Sequence, residues 1–169
     1  RADELAGKNR GGEAPRRSPT LIKANLRHDP GDQRRQHQAD AQTVDHIAVA
    51  APSLAVGRRF VENSLGVKLS LGGKHVFMGT HNLLLRLGNR LYLEVIAIDP
   101  QADAPPAPRW FNLDDPLLQA ELQVRPRLVH WIVRTQNIQH AAGLMPEISG
   151  PARNATRGDL SWTITIPSD

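Results

Sequence analysis

An α+β fold made of two βαβββ modules is predicted, the second module incomplete, and three observations carry the prediction. Residues 43–100 read in the order strand, helix, strand, strand, strand from apolar patterning and turn residues. An echo of that order begins 84 residues further on. H-I-A-V at 46–49 aligns with H-W-I-V at 130–133, Leu54 with Ile138, and Phe60-Val61 with Leu144-Met145. Between the two lies a Pro-rich stretch, Q-A-D-A-P-P-A-P-R at 101–109, which reads as an extended connector.

Each element has a local reason. T-V-D-H-I-A-V-A at 43–50 mixes Val and Ile with Ala and a His, as a short buried strand does. Pro52-Ser53 opens a helix with Ser53 as N-cap and Leu54, Phe60, Val61 and Leu65 as its apolar stripe; Gly66 is placed to end it in left-handed conformation. Strands are expected at Val67–Leu71, Asn82–Leu87 and Leu91–Ile98, with Gly72-Gly73 and Gly79 supplying turns or a bulge and Gly88-Asn89 a hairpin. Trp110-Phe111 and D-D-P-L-L-Q-A-E-L (114–122) form a short helical piece beside the sheet. The second module offers a strand at 128–135, a helix at 137–148 and a strand at 160–167. Counted at the same offset, the counterpart of Glu94 falls near position 178, beyond Asp169, so its two final strands are expected to be absent. The uncovered edges would favour a homodimer. The segments are therefore 1–42, a basic N-terminal arm with little or no order; 43–100, the first module; 101–127, the connector; and 128–169, the partial second module.

Composition limits the function. With no cysteine there are no disulfides, thiolate ligands or Cys nucleophiles. No apolar run approaches the roughly 18 residues that span a bilayer, so no membrane partner is expected and the cytoplasm is the default setting. Residues 1–42 hold nine Lys/Arg against six Asp/Glu, whereas 43–169 hold twelve against eleven. The positive charge thus sits in the arm, which lacks the interleaved aromatics of a nucleic-acid binder. His28 and His37 in the arm, and His140 in the second module, are expected to be solvated. G-G-K-H with G-T-H-N is no phosphate loop, because no Lys-Ser/Thr and no helix follow it, and no cofactor-binding residues are assigned. No hydrolytic triad motif is present.

What remains is a set of imidazoles and one carboxylate. Glu94 stands in the apolar strand Y-L-E-V-I, where an unpaired carboxylate costs several kcal/mol, so it needs a metal, a His, an Arg or a proton; Arg86, Arg90 and backbone donors are the structural alternatives. His46 lies early in the first strand, with Asp45 beside it as a carboxylate able to orient its ring, although adjacent strand residues point to opposite faces. The repeat adds His130. His75 and His81, on the Gly-rich element, are candidates for acid/base or substrate contact alongside Glu94 as the catalytic carboxylate. They could equally cap turn backbone. Asn82 either orients backbone at its strand start or touches a ligand.

The combination of D-H-I at 45–47, G-G-K-H and G-T-H-N within 72–82, and Y-L-E-V-I at 92–96 resembles the glyoxalase-like domains of the vicinal oxygen chelate superfamily. The resemblance covers about residues 43–167 and is strongest over 43–100. It implies paired βαβββ modules curled into a mixed sheet with a cup and helices outside. It also implies metal ligands from the first and fourth strands of each module. His46, Glu94 and His130 match three of those positions, and the fourth has no counterpart in the chain. The ions that suit such donors are Zn, Fe, Mn, Ni and Co. Two functions are consistent with this: a metal-dependent lyase, isomerase or dioxygenase acting on a small oxygenated molecule, or a metal-free protein that binds or sequesters one.

Overall fold

The computed structural model describes residues 21–25, 42–157 and 159–167. Its elements are β1 (Leu21–Asn25), β2 (Thr43–Ala50), α1 (Leu54–Leu65), β3 (Ser70–His75), β4 (Thr80–Arg86), β5 (Tyr92–Ile98), α2 (Pro116–Val124), β6 (Arg127–Thr135), α3 (Ile138–Leu144), α4 (Pro146–Ser149), β7 (Ala152–Arg157) and β8 (Leu160–Thr165). The strands form one mixed sheet in the order β3-β4-β5-β2-β6-β1-β8-β7. No helix among the described residues is long and apolar enough to cross a membrane.

The first module has the expected order. The Ser53 side chain accepts a hydrogen bond from the Val56 amide, and Gly66 ends α1 at φ 68°. The buried face of α1 differs from the expected stripe, because Phe60 and Leu65 are exposed. Leu54, Gly57 and Val61 are one helical face, and Gly57 lets the helix lie directly on β5: a Cβ there would meet Val95 Cγ1 at 2.4 Å. Val61 then packs with Ala51, Leu69, Leu83 and Val95. β3 starts three residues later than expected and runs through Gly72-Gly73 by way of a register shift between Leu71 and Lys74. The turn comes at Val76–Met78, closed by Gly79 at φ 58°.

The second module corrects two expectations. β7 was not anticipated: among the described residues it is an edge strand with one neighbour, and of 152–156 only Ala155 is buried, so A-R-N-A-T shows no apolar alternation. Only one strand position, rather than two, is then left after β8, and it is not empty. β1, from within the stretch expected to be a loose arm, pairs parallel with β6 and antiparallel with β8. The rest of that arm, with His28 and His37, lies outside the described residues.

A pseudo-two-fold relates the modules. Across the central pair, Ile47 faces Trp131, which is its own counterpart at the 84-residue offset. His46 opposite Ile132 is mated to Ala48 opposite His130, and the bulged residues Asp45 and Val129 are mates as well. One face of the sheet carries α1; the other gathers Ala48, Ala50, Ile96, Ile132, Trp162 and Ile164 beneath Trp110, Phe111, Leu113 and Leu122.

Candidate functional site

Glu94 sits at the centre of this second face. Ladder partners share a face, so Glu94 on β5, Ala48 on β2 and His130 on β6 form one row, with His46 one step along β2. Glu94 is 4 % exposed and keeps its charge through three neighbours. His46 Nε2 lies 3.4 Å from Oε2, Asn82 Nδ2 donates to Oε1, and His75 Nε2 is 4.0 Å from Oε1. Burial works against the carboxylate, yet the hydrogen bond and charge of His46, the charge of His75 and the Asn82 amide hold its pKa down at about 2. Arg86, a sequence alternative, instead binds Gly88 O and Asn89.

His46 is oriented from behind. Its Nδ1 is 2.8 Å from Asp45 Oδ1, and the other Asp45 oxygen accepts from Arg134. Adjacent strand residues normally point apart; the bulge at Asp45 lets the carboxylate come round to the ring. Tyr92 stacks on the imidazole at 4.5 Å and 13°. Burial alone would lower the pKa of His46, but the Asp45 and Glu94 carboxylates outweigh it and raise it. The two groups therefore favour each other's charged forms across the 3.4 Å between them. Arg134 was not singled out from sequence, since its contact spans 89 positions.

Asn82 holds backbone and also reaches the carboxylate. Its Oδ1 accepts from the Gly73 amide at 2.8 Å while its Nδ2 reaches Glu94. A Cβ on Gly72 would lie 1.9 Å from that same Oδ1, so the glycine is what lets β3 close over Asn82. His75 completes the group, with Nδ1 3.1 Å from Thr80 Oγ1. His81 does not join it. It pairs with Ala97 on the opposite face, with Nδ1 4.0 Å from Asp99, and burial lowers its pKa.

Two aromatic side chains cover the face. Trp110 meets His75 edge-on at 4.9 Å, and Phe111 lies against His130 at 5.1 Å. They ride on a 3-10 turn at 110–112 in which Phe111 (φ 61°) and Asn112 (φ 54°) both adopt the left-handed conformation. A bulky residue there costs roughly 1–2 kcal/mol. Trp110 Nε1 is buried with no hydrogen-bond partner among the described residues.

A family model for the glyoxalase-like domain matches residues 44–169. The chain belongs to this family. It is thereby a member of the vicinal oxygen chelate superfamily. No curated protein matches it.

Glyoxalase-like domains of this superfamily often use a divalent metal, and the donors here can be tested against one. The 3.4 Å between His46 Nε2 and Glu94 Oε2 suits two ligands of one tetrahedral ion, whose bonds of about 2.0–2.2 Å set ligands about 3.4 Å apart. The third donor does not follow. The ring of His130 lies against Phe111, with centroids 5.1 Å apart. Among the described residues no three His, Asp or Glu side chains are gathered as a metal-holding group. The described residues, as placed, do not fit a closed metal centre.

Proposed function

We propose that this glyoxalase-like domain binds a small oxygenated molecule, without a metal, at the His46–Glu94–His75–Asn82 group. The observation that carries the reading is the buried Glu94 carboxylate, held ionised, 3.4 Å from a His46 ring that Asp45 orients. Such a pair offers a donor for a carbonyl oxygen and an acceptor for a neighbouring hydroxyl. The unpartnered Trp110 indole N–H supplies a second donor at the same face. Since His46, Glu94, His75 and His130 are each at most 5 % exposed, the ligand enters by displacing Trp110 and Phe111, and release of the left-handed turn lowers the cost.

The test is a set of α-hydroxy carbonyl and vicinal diol compounds, screened by ligand-observed NMR and calorimetry against the full chain. Binding is expected to be lost in Glu94→Gln and His46→Gln and kept in His81→Gln. Binding that survives in both site variants, or that His81→Gln removes, refutes the reading.

Catalysis is the second reading, and one observation favours it. Glu94 and His46 are a base and an acid in contact, the arrangement that proton removal next to a carbonyl requires. Turnover by a lyase or isomerase would then fall with Glu94→Gln while ligand binding to His81→Gln stays intact. The homodimer belongs to the same set of proposals, but its original ground has gone, because β1 covers the edges of β6 and β8. The outer strand β3 now carries it, with Leu71 83 % exposed. Sedimentation showing only monomer at micromolar concentration removes it.

A further inference from the structure

The face of the sheet opposite Glu94 is covered unevenly. Ladder partners share a face, so Leu93 and Val95 on β5, which pack with the buried side of α1, continue through Ile47 and Val49 on β2 to Trp131 and Leu128 on β6. The β5 end of that row is covered by α1, whereas Leu128 and Trp131 at the β6 end are exposed. Just before Leu128 in the chain, the end of α2 and its junction with β6 stand against α1 and enclose an open cavity. Its volume is about 380 Å³, within the range of about 300–1,000 Å³ that small-molecule sites occupy. Arg59 and Phe60 line it from α1, and Leu122, Val124 and Arg125 from the other side.

Charge at this cavity is one-sided. None of its lining residues is acidic, and its charged side chains are Arg59 and Arg125. The neighbouring cations are engaged elsewhere. Arg58 lies 3.3 Å from Glu62 and donates to Leu69 O, and Arg127 lies 3.2 Å from Glu121. Neither Arg59 nor Arg125 has an ion pair or a side-chain hydrogen bond among the described residues. Beside these two forks stand apolar side chains facing water, Phe60 and Val124, the latter 84 % exposed. Guanidinium groups bind carboxylate and phosphate oxygens two at a time, and apolar surface next to them holds the body that carries the anion. We infer that the cavity is a second binding site, for a small organic anion: a carboxylate or phosphate monoester held by Arg59 and Arg125, with its apolar body on Phe60 and Val124. It shares no residue with the Glu94 group and does not rest on the ligand reading above.

The experiment uses the full chain with three probes: 4-phenylbutanoate, phenyl phosphate and the uncharged 4-phenylbutanamide. Binding is followed by calorimetry and by amide NMR shifts. At least one of the two anions is expected to bind saturably and one-to-one, and the tighter of them identifies the head group. The amide should bind about tenfold more weakly or worse, since it offers no charge to the guanidinium donors. Arg59→Gln and Arg125→Gln should each weaken the anion by about tenfold, while Arg153→Gln, an exposed arginine on β7, should change nothing. All three replaced side chains are exposed, and circular dichroism checks that each variant is folded. The bound anion should move the amide signals of 56–64 and 122–125 and leave those of Asn82 and Glu94 in place. Failure of both anions to saturate overturns the inference. So does an amide that binds as tightly, a folded Arg59 or Arg125 variant that binds as well as the unmodified chain, or shifts centred on Asn82 and Glu94.

Discussion

Replacing Gly72 by alanine should damage the site from outside it. The new methyl would stand 1.9 Å from Asn82 Oδ1 and 2.8 Å from the Asn82 carbonyl oxygen, neither of which can stay where it is. Forcing one extra carbon into a filled space costs about 1–3 kcal/mol. Turning the Asn82 side chain away also breaks its bond from the Gly73 amide, a further ~1 kcal/mol, and takes Nδ2 from Glu94. The sum is about 2–4 kcal/mol. With a urea m value of about 2 kcal/mol/M, the unfolding midpoint falls by roughly 1–2 M. Gly143→Ala is the control: it lies in α3 with nothing within 4 Å of the added carbon, so it should be neutral or stabilising by up to ~1 kcal/mol. Equal midpoints for the two alanine variants would refute the close packing of β3 on Asn82.

Three other outcomes are expected. Glu94→Ala leaves the His46 imidazolium and the Asn82 amide without their acceptor and should cost about 3–5 kcal/mol, against ~1–2 kcal/mol for Glu94→Gln, by the same urea titration. The His46–Glu94 pair should give stability a maximum in pH. The raised pKa of His46 makes its contribution complete below 6.5 and lost as the pH climbs through the folded value. The depressed pKa of Glu94 makes its own complete above 4.5 and lost as the pH falls toward about 2. The contribution is whole between those limits, and His46→Gln should flatten both flanks; flanks unchanged in that variant would contradict the pairing. Finally, Asn112→Gly should hold stability within a few tenths of a kcal/mol, whereas Asn112→Val should lose about 1–2 kcal/mol, because only the β-branched residue resists φ 54°.

The first module was legible because its signals are local. Ser53 and Gly66 bracket α1, and an acid inside Y-L-E-V-I announces a buried partner that proved to be His46, Asn82 and His75. Bulges were harder to see, since they depend on the neighbouring strand. Asp45 reaches its histidine only because β2 skips a register against β6, and Gly72-Gly73 bends within β3 instead of ending it. Face assignment failed for one residue of a pair six apart. His75 joins Glu94 and His81 does not, because the turn at 76–78 changes the alternation between them. Long-range supply was invisible. Nothing in L-I-K-A-N marks it as the partner of a strand more than a hundred residues away.

That supply imposes an order of events on biosynthesis. β1 is the first described element to leave the ribosome, but its neighbours Ile132 and Ile164 follow 111 and 141 residues later. At about 5–20 residues per second the strand waits on the order of 6–28 s for a place to dock. The first module has all its strands by then and can close on its own, so the histidine–carboxylate pair of Glu94 can be assembled before the second half of the sheet exists. The first described strand to be made is the last to be locked in, and a ribosome that stops short of β8 releases a chain with a finished site and an open sheet.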